Sequence, residues 1–202
     1  MKATLNRLTT GILFWLGLTI ASAHAAPATS VPEKWHTPFG LYLTPREAHD
    51  MKRADPTAVV LIDVRTRAEV KYIGLAKGVD ANIPIRMLDP EYRWSEKKNT
   101  YRTKQNPDFV AAVNRLLSAR ALDRRARIIL MCQSGSRVPI AARKLHEAGF
   151  TNVYTQYQGF EGRKAKDGPA KGQRVIEGWK NRGLPWSYDL SPEQMYFNWS
   201  GE

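Results

Sequence analysis

Short apolar runs that are continuous rather than alternating recur along this chain, and they predict buried strands. The clearest are residues 58–65 (AVVLIDVR) and 126–130 (ARIIL), and shorter candidates cover residues 80–85 and 152–156. Continuous β-branched runs are typical of strands that are buried on both faces of a parallel sheet. Strands of this kind need helices on either side of the sheet.

Apolar residues at helical spacing occur in three segments around these runs. The first begins at Thr44, an N-cap residue that forms a capping box with Glu47. The second opens at residues 106–108 (NPD), and the third covers residues 136–148. Strands that alternate with helices predict an α/β domain with a mostly parallel central sheet and helices on both faces.

The N-terminus has the layout of a bacterial-type secretory signal peptide. Two basic residues precede an uncharged apolar run, and residues 23–25 (AHA) fit the A-x-A pattern before a cleavage site. We expect residues 1–25 to be removed by cleavage after Ala25, with Ala23 as the alternative, which predicts a periplasmic protein without a membrane contact. The competing interpretation is an uncleaved anchor, because the apolar stretch approaches the roughly 20 residues that a membrane span needs.

The charge balance is strongly basic, with 31 Lys and Arg against 19 Asp and Glu and a formal net charge of +12. Such a balance can indicate a nucleic-acid partner, but the predicted export argues against nucleic acid. The densest basic cluster, residues 120–128, is interpreted as a solvated loop before a strand. No spacing of His, Cys and carboxylate residues suggests a metal site, and we expect neither a metal nor an organic cofactor.

A single cysteine, Cys132, lies where the apolar run of residues 126–130 meets a small polar loop. A lone cysteine cannot form an internal disulfide, so it is either a small buried apolar residue or a reactive thiol. The loop favours the reactive thiol, since residues 133–136 are small or polar, and Gly135 can adopt a positive φ. Successive N–H groups would then form an anion-binding nest at the carboxyl edge of the sheet. The same field would favour the thiolate over the thiol.

Four motifs, in order along the chain, resemble those of single-domain rhodaneses. Residues 132–137 (CQSGSR) look like the family's active-site loop C-x-x-G-x-R, and residues 59–70 (VVLIDVRTRAEV) like its strand ending in Asp-Val-Arg with a Glu shortly after. Residues 74–85 (GLAKGVDANIPI) are similar to its Gly-His-Ile-Pro-Gly-Ala-x-Asn-Ile-Pro segment. Residues 178–186 (GWKNRGLPW) look like its closing helix and turn. Together they make the resemblance strong.

The chain departs from the family pattern at three positions. Leu75 stands where the family has His, and Gln158 stands in place of the first of two glycines after the last strand. Gln133 replaces an Arg that is common at the second position of the loop, which removes one positive charge beside the sulfur. These departures concern local turns and local charge, and the cysteine itself is present.

The resemblance also divides the chain. It implies a rhodanese-like domain over residues 41–187, with insertions at about 86–106 and 161–177. An N-terminal extension covers residues 26–40, and an aromatic-rich tail covers residues 188–202. We expect this tail to pack back on the domain, although a contact with a partner is an alternative.

The resemblance implies a sulfurtransferase without a cofactor. Cys132 would take sulfane sulfur from a small anionic donor such as thiosulfate and pass it, through a persulfide, to cyanide or a thiol; a periplasmic protein could be the acceptor. The backbone amides from Gln133 to Arg137 would hold the persulfide, and the hydroxyls of Ser134 and Ser136 could add donors. Arg137 either faces the anionic donor or braces the loop by pairing with an acidic residue, and we favour bracing.

Two other functions compete with sulfur transfer. A cysteine phosphatase or an arsenate reductase shares the same Cys-loop-Arg logic, but such phosphatases resemble C-x5-R with His before the Cys. Here the spacing is C-x4-R, and Met131 precedes Cys132. The other alternative is a domain that binds a partner or carries sulfane sulfur without turning over thiosulfate, because a fold does not by itself determine a function.

Both insertions follow predicted strands, so we expect them at the same edge of the sheet as Cys132. One hypothesis places them at the rim of the active site, and the alternative is ordinary surface elaboration. In the rim hypothesis aromatic residues wall a pocket and basic residues attract an anionic donor. The aromatic residues are Tyr92, Trp94 and Tyr101, and the basic residues are Arg163, Lys164 and Lys171.

The remaining aromatic and histidine residues are given structural roles. Trp179 and Trp186 are interpreted as core residues near the end of the domain. His36 and His49 are interpreted as surface residues, and His146 lies about 15 Å along a helix from the loop, too far to act as a general base. A thiolate stabilised by backbone amides requires no such base.

Overall fold

The computed structural model describes residues 31–197, so the predicted signal peptide, residues 26–30 of the extension and residues 198–202 of the tail lie outside it. The helices are α1 (Pro45–Ala54), α2 (Arg67–Ile73), α3 (Phe109–Ser118) and α4 (Val138–Glu147). The strands are β1 (Tyr42–Leu43), β2 (Val59–Asp63), β3 (Leu75–Ala76), β4 (Ala81–Asn82), β5 (Arg86–Leu88), β6 (Trp94–Ser95), β7 (Thr100–Tyr101), β8 (Thr103–Gln105), β9 (Arg127–Met131), β10 (Val153–Gln156), β11 (Arg163–Lys164), β12 (Arg174–Ile176) and β13 (Trp186–Ser187). Short 3₁₀ turns cover Glu33–Trp35, Glu96–Lys98 and Pro192–Gln194.

The central sheet has five strands in the order β1-β10-β9-β2-β4, and all four pairings are parallel. β9 lies in the middle, and its last residue, Met131, pairs with the last residues of its neighbours, Asp63 of β2 and Gln156 of β10. The carboxyl ends of the three central strands are therefore level. The predicted α/β fold with a parallel sheet is confirmed, and the loops at this edge converge around Cys132.

Alternate residues of the central strands face two separate apolar cores. One core packs Val60, Ile62, Ile128 and Leu130 against α3 and α4, and the other packs Val59, Leu61, Ile129 and Met131 against α1 and α2. All eight side chains have zero exposure. Burial of each contributes about 1.5–3 kcal/mol before entropy costs, which explains why continuous apolar runs form these strands.

Helix α2 is an element that the apolar pattern does not predict. It has seven residues, of which only Val70 is buried, so it has almost no apolar stripe. Its start is nevertheless encoded, because Thr66 and Glu69 form a capping box like that of Thr44 and Glu47 at α1. This capping box is the sequence signal from which the start of α2 could have been predicted.

Two predicted elements differ from the structure, a strand that is shorter than expected and a helix that does not form. The strand predicted over residues 80–85 is only Ala81–Asn82, although the amides of Ile83 and Ile85 still donate to the carbonyls of Asp63 and Val64 beyond the regular pairing. The closing helix predicted within residues 178–186 is wrong: the segment forms turns between Gly178 and Gly183, whose φ values are +94° and +65°. Left-handed glycines at both ends leave too few residues for a helix.

The predicted roles of the tryptophans and histidines hold in part. Trp179 is completely buried and donates from Nε1 to the carbonyl of Pro185, whereas Trp186 is half-buried. His36 is exposed as predicted, but the prediction for His49 is wrong, since its side chain is 15% exposed and packs edge-on against Trp179.

The first insertion forms a projecting antiparallel ribbon, residues 86–105, which we call the arm. β5 pairs with β8 at its base, and β6 pairs with β7 toward its tip. The aromatic rings of the arm stack edge-on with centroids 5.4–6.2 Å apart, and they are 42–63% exposed. These residues are Tyr92, Trp94 and Tyr101. The second insertion forms a separate hairpin from β11 and β12.

The described part of the tail packs back on the domain, as predicted. Met195 forms a parallel bridge with Asn82 at the edge of the sheet, and Tyr196 is buried and donates its hydroxyl to Asp108. The amide of Tyr196 also donates to the carbonyl of Asn82. Through residue 197 the tail thus extends the sheet beyond β4. Among residues 31–197, no helix combines the length and apolar character that crossing a membrane requires.

Candidate active site

Cys132 directly follows β9 and is the first residue of a short loop, residues 132–137, which we call the cysteine loop. Its exposure is zero, and it belongs to the apolar core on the side of α3 and α4. Its Sγ accepts a hydrogen bond from the amide of Arg137, with 3.4 Å between the two atoms. The thiol therefore lies at the predicted edge of the sheet, but it is more deeply buried than an open nucleophile would be.

Two glycines hold the cysteine loop against the turn that follows β10. Gly135 has φ +90°, and a methyl group placed on it would lie 1.7 Å from the carbonyl oxygen of Tyr157. Gly159 has φ +74°, and a methyl group there would lie 2.3 Å from the amide nitrogen of Ser134. The positive φ predicted for Gly135 is confirmed, and its cause is this close backbone contact.

The backbone amides of the cysteine loop are available to an anion. Within the described chain, the amides of residues 133–136 donate to no protein acceptor, and only the amide of Arg137 donates to the sulfur. These groups precede the first turn of α4, where helix N–H groups also lack partners. The loop therefore has amide donors without protein acceptors, as the predicted nest requires, and one of its amides, that of Arg137, donates to the buried sulfur.

Arg137 braces the cysteine loop through an ion pair with Glu69 of α2. Its Nη1 and Nη2 donate to the two carboxylate oxygens of Glu69 at 2.7 and 2.5 Å, and both side chains are 19% exposed. Burial opposes the charge of Glu69, but the paired guanidinium outweighs it and holds the pKa of that carboxyl below its usual range. Burial likewise opposes the charge of Arg137, and the Glu69 carboxylate raises the pKa of Arg137 above its ordinary value.

Glu69 serves two elements at once. Its Oε2 also accepts from the amide and the hydroxyl of Thr66, which is the capping box of α2. The carboxylate therefore ties the start of α2 to the cysteine loop. The guanidinium of Arg137 is committed to this contact, which argues against a phosphatase site, where the arginine would have to hold the substrate phosphate.

A buried ion pair that sequence reasoning did not identify supports the end of β2. Arg65 donates to both carboxylate oxygens of Asp63 and to the carbonyl of Gly74, and both charged residues have zero exposure. The guanidinium lies 4.1 Å from the centre of the Phe160 ring. Asn82 donates to the carbonyls of Asp63 and Arg65. The Asp-Val-Arg motif, residues 63–65, thus supports the carboxyl edge of the sheet, where the cysteine loop lies.

The other predicted site residues have distinct surroundings. Gln133 donates from Nε2 to the carboxylate of Glu161 at 2.7 Å, which links the loop to the start of the second insertion. Ser134 is half-buried, and Ser136 is exposed. Within residues 31–197, neither serine hydroxyl donates to the sulfur, since the amide of Arg137 is its single hydrogen-bond donor there.

A cleft of about 1060 Å³ opens above the cysteine loop. Gln133, Ser136 and Arg137 form one wall, and the start of α2, residues 66–69, forms a second. The arm forms another side. The arm residues that line the cleft are Arg86, Met87, Leu88, Pro90, Lys98, Thr100, Tyr101 and Thr103.

The rim hypothesis is right for the arm and wrong for the second insertion. Tyr101 lines the cleft, while Tyr92 and Trp94 stand behind it and stack on its ring. The basic residues of the second insertion line no part of the cleft, and Arg163 instead pairs with Glu177 within the β11–β12 hairpin. The segment that leads into this hairpin contacts the cysteine loop at Gln133, whose carbonyl accepts from the amides of Glu161 and Gly162, while the two strands of the hairpin pair with each other.

Within residues 31–197, no histidine lines the cleft above the cysteine loop. His146 is exposed on α4 and packs against Phe39. Among the described residues, no group of three or more His, Cys, Asp or Glu side chains is placed to hold a metal ion. The sulfur lies among apolar core residues and accepts from the backbone amide of Arg137, whose side chain is paired with Glu69.

Comparison with known proteins matches this architecture. Residues 44–166 match the family model of the rhodanese-like domain. An uncharacterized protein, RC0915 from Rickettsia conorii, is 29% identical over 142 residues, which cover 70% of this chain and 93% of that protein. The crystal structure of Rv0390 from M. tuberculosis is 30% identical, covers 73% of this chain and 97% of that one, and superposes with a TM-score of 0.53. The solution structure of a polysulfide-sulfur transferase from Wolinella succinogenes is 21% identical, covers 72% and 77% of the two chains, and has a TM-score of 0.42.

Proposed function

The chain belongs to the rhodanese-like domain family, and on this premise we propose that it is a sulfurtransferase that works through a persulfide on Cys132. The observation that carries the proposal is the cysteine loop itself. A single thiol lies at the carboxyl end of the central strand, in a loop where four backbone amides have no acceptor within the described chain and a fifth donates to the sulfur. Backbone amides of this kind stabilise a developing anion without needing a general base.

The proposed reaction has two displacement steps. The Cys132 thiolate attacks the outer sulfur of thiosulfate, a new S–S bond forms, and sulfite leaves with the electron pair of the broken bond. An acceptor, cyanide or a thiolate, then attacks the outer sulfur of the persulfide, and the Cys132 thiolate is released. No net oxidant is needed, because the sulfane sulfur keeps its oxidation state between donor and acceptor.

The geometry near the sulfur supports a persulfide rather than a phosphorylated cysteine. A second sulfur would lie about 2.05 Å from Sγ, and the amide of Arg137 already donates to Sγ across 3.4 Å. Arg137 keeps its contact with Glu69 in this scheme and contributes its backbone amide. Gln133, Ser134, Gly135 and Ser136 act through their backbone N–H groups.

A second candidate function follows from the burial of Cys132. With zero exposure, the thiol reacts with a dissolved donor only when the cysteine loop moves. In a sulfur carrier, a bound partner protein would move the loop and load the thiol, so free thiosulfate would not be turned over. This candidate predicts a folded protein with an intact loop that does not react with thiosulfate.

The two candidates are separated by the intact mass of the purified protein after thiosulfate and then after cyanide. Turnover predicts a gain of one sulfur atom, its loss to cyanide with formation of thiocyanate, and no gain in Cys132→Ser. If the folded, reduced protein gains no sulfur from thiosulfate but gains it from a polysulfide, the carrier is supported. If neither reagent modifies Cys132, sulfur transfer is rejected.

The periplasm remains the proposed location, with a small anionic donor and a thiol or cyanide acceptor. The proposal rests on the signal-peptide layout of residues 1–25. Expression of the full chain followed by cell fractionation and mass measurement tests it. A product that begins at Ala26 in the periplasmic fraction supports the proposal, and an uncut chain in the membrane fraction supports the anchor.

A further inference from the structure

The cleft above the cysteine loop is far larger than the small ions of the proposed reaction. Its volume of about 1060 Å³ would hold roughly 35 water molecules at about 30 Å³ each, whereas thiosulfate is an ion of five heavy atoms. Sites for drug-sized ligands occupy about 300–1,000 Å³. A donor anion alone would leave most of this volume filled with water.

The walls of the cleft are apolar to a degree that an inorganic anion does not require. Pro84, Met87, Leu88, Pro90 and Ile140 line it, and Leu88 is 43% exposed to solvent. Exposed apolar side chains beside a reactive site are typical of a surface that another molecule covers. The occupant therefore carries apolar groups.

The cleft carries a net positive charge, and some of its cationic side chains have no carboxylate partner among residues 31–197. Its charged lining residues are Arg67, Arg86, Lys98, Arg137 and Glu69. The carboxylate of Glu69 is taken by Arg137, and within residues 31–197 neither Arg67 nor Lys98 forms an ion pair. Both of these cations are exposed at the mouth, so they complement an anionic occupant.

The backbone of the arm points to an extended chain as this occupant. β5 supplies three consecutive lining residues, Arg86–Leu88. In the described part of the chain it pairs with β8 alone, so its other edge has no strand partner. An unpaired strand edge beside a cleft can accept a further strand through main-chain hydrogen bonds.

We propose that the sulfur acceptor is the cysteine of an extended, acidic protein segment, which lies along β5 and reaches the cysteine loop with its thiol. This inference rests on the proposed persulfide and specifies its acceptor. The apolar walls hold side chains of the segment, and Arg67 and Lys98 attract its carboxylates. The thiolate of the segment attacks the outer sulfur of the persulfide, which becomes a persulfide on the acceptor, while the Cys132 thiolate is restored.

The first experiment measures transfer from the persulfide-loaded protein to three thiols. These are a peptide of about ten residues with Cys between acidic and apolar residues, the same peptide with Lys for each acidic residue, and 2-mercaptoethanol. We expect the acidic peptide to react at least about tenfold faster than the other two at low salt, which corresponds to about 1.4 kcal/mol, and to lose this advantage at high salt. Equal rates for the three thiols would overturn the proposal.

Two charge-reversal variants locate the effect in the cleft. Arg67→Glu with Lys98→Glu should lower the ratio of the rate with the acidic peptide to the rate with 2-mercaptoethanol about tenfold. Lys164→Glu with Lys171→Glu removes the same charge from the second hairpin, outside the cleft, and should behave as the unmodified protein. A loss in both variants would indicate a general charge effect and contradict the proposed site.

Binding without sulfur chemistry keeps this test separate from the proposed function. Cys132→Ser protein should bind a fluorescent acidic peptide that has Ser in place of Cys. A copy of that peptide with N-methylated backbone amides should bind about tenfold more weakly if it pairs with β5. If Cys132 never accepts sulfur but the peptide binds in this way, the persulfide fails and the docking site stands. If sulfur loads and no peptide binds, the docking site fails.

Discussion

At the scale of single residues, the cysteine loop depends on close backbone contacts that tolerate no side chain. Gly135 and Gly159 bring two turns within van der Waals contact of each other, at the carboxyl ends of β9 and β10. Their positive φ values are unfavourable for any other residue by about 1–2 kcal/mol. The position of Cys132 in a loop with free amides follows from this packing.

Gly135→Ala should therefore displace the cysteine loop and abolish sulfur uptake. We expect the free energy of unfolding to fall by about 3 kcal/mol or more, because the new methyl group overlaps the carbonyl of Tyr157 in addition to the φ penalty. Gly168→Ala is the matched control, since Gly168 has φ +69° but nothing within 4 Å of the added methyl group. Denaturant unfolding and mass-monitored sulfur loading measure both effects. Equal losses in the two variants would show that the overlap has no effect.

At the scale of elements, segments outside the parallel sheet complete the site. The arm supplies one side of the cleft, and the 3₁₀ turn of the N-terminal extension packs behind the cysteine loop. A ring carbon of Trp35 lies 3.3 Å from the methyl position of Gly135, and Trp35 belongs to a small apolar cluster with Val31, Tyr42 and Tyr157. The extension therefore acts as a support for the loop.

Trp35→Ala should slow sulfur uptake about tenfold while the fold persists, since the side chain is only half-buried and its loss removes about 1–2 kcal/mol of packing. Trp35→Phe keeps an aromatic ring against the loop and should restore most of the rate. Single-turnover loading with thiosulfate, at several concentrations, separates a slower chemical step from weaker binding. Failure of the Phe variant to recover, with the stability of both variants unchanged, would contradict a packing role.

At the scale of the whole molecule, charge pairs join elements that are distant in the chain. The Glu69–Arg137 pair links α2 to the cysteine loop across 68 positions, and Lys52 and Arg120 both pair with Asp80. Each pair joins two segments that lie at least 28 positions apart in the chain. The stability of the molecule, and the geometry of its site, should consequently depend on the ionisation of Glu69.

Acid should weaken the fold through Glu69. Its pKa in the folded protein lies below the ordinary value of 4.5, so its contribution is fully present above that value and is lost as the pH falls through the folded pKa. We expect Glu69→Gln to lower the free energy of unfolding by about 2–3 kcal/mol at pH 7, because Arg137 stays buried without its counter-charge.

The pH dependence distinguishes this pair from the other carboxylates. Unfolding measured from about pH 6 to pH 3 should show a smaller acid-induced loss of unfolding free energy in Glu69→Gln than in the unmodified protein, because the variant has no carboxylate to protonate at this position. Parallel pH profiles for the two proteins would contradict the assignment. Sulfur uptake by the variant should also fall, since the loop loses its brace.

The sequence by itself determined the features that depend on neighbours within a few positions. Continuous apolar runs encode strands buried on both faces, capping boxes encode the starts of α1 and α2, and Gly135 in CQSGSR encodes the turn over Cys132. These signals are local because hydrogen bonding and side-chain periodicity within one element decide them. The parallel sheet and the position of the cysteine at its edge followed from them.

Only the tertiary structure decided which distant groups meet. The choice of Glu69 as the partner of Arg137, the complete burial of Cys132, and the enclosure of the cleft by the arm instead of the second hairpin all depend on strand order and loop direction. The packing of Trp35 behind Gly135 depends on them as well. Contacts of this kind join elements through space, and their energies depend on desolvation and close packing, which local sequence patterns do not specify.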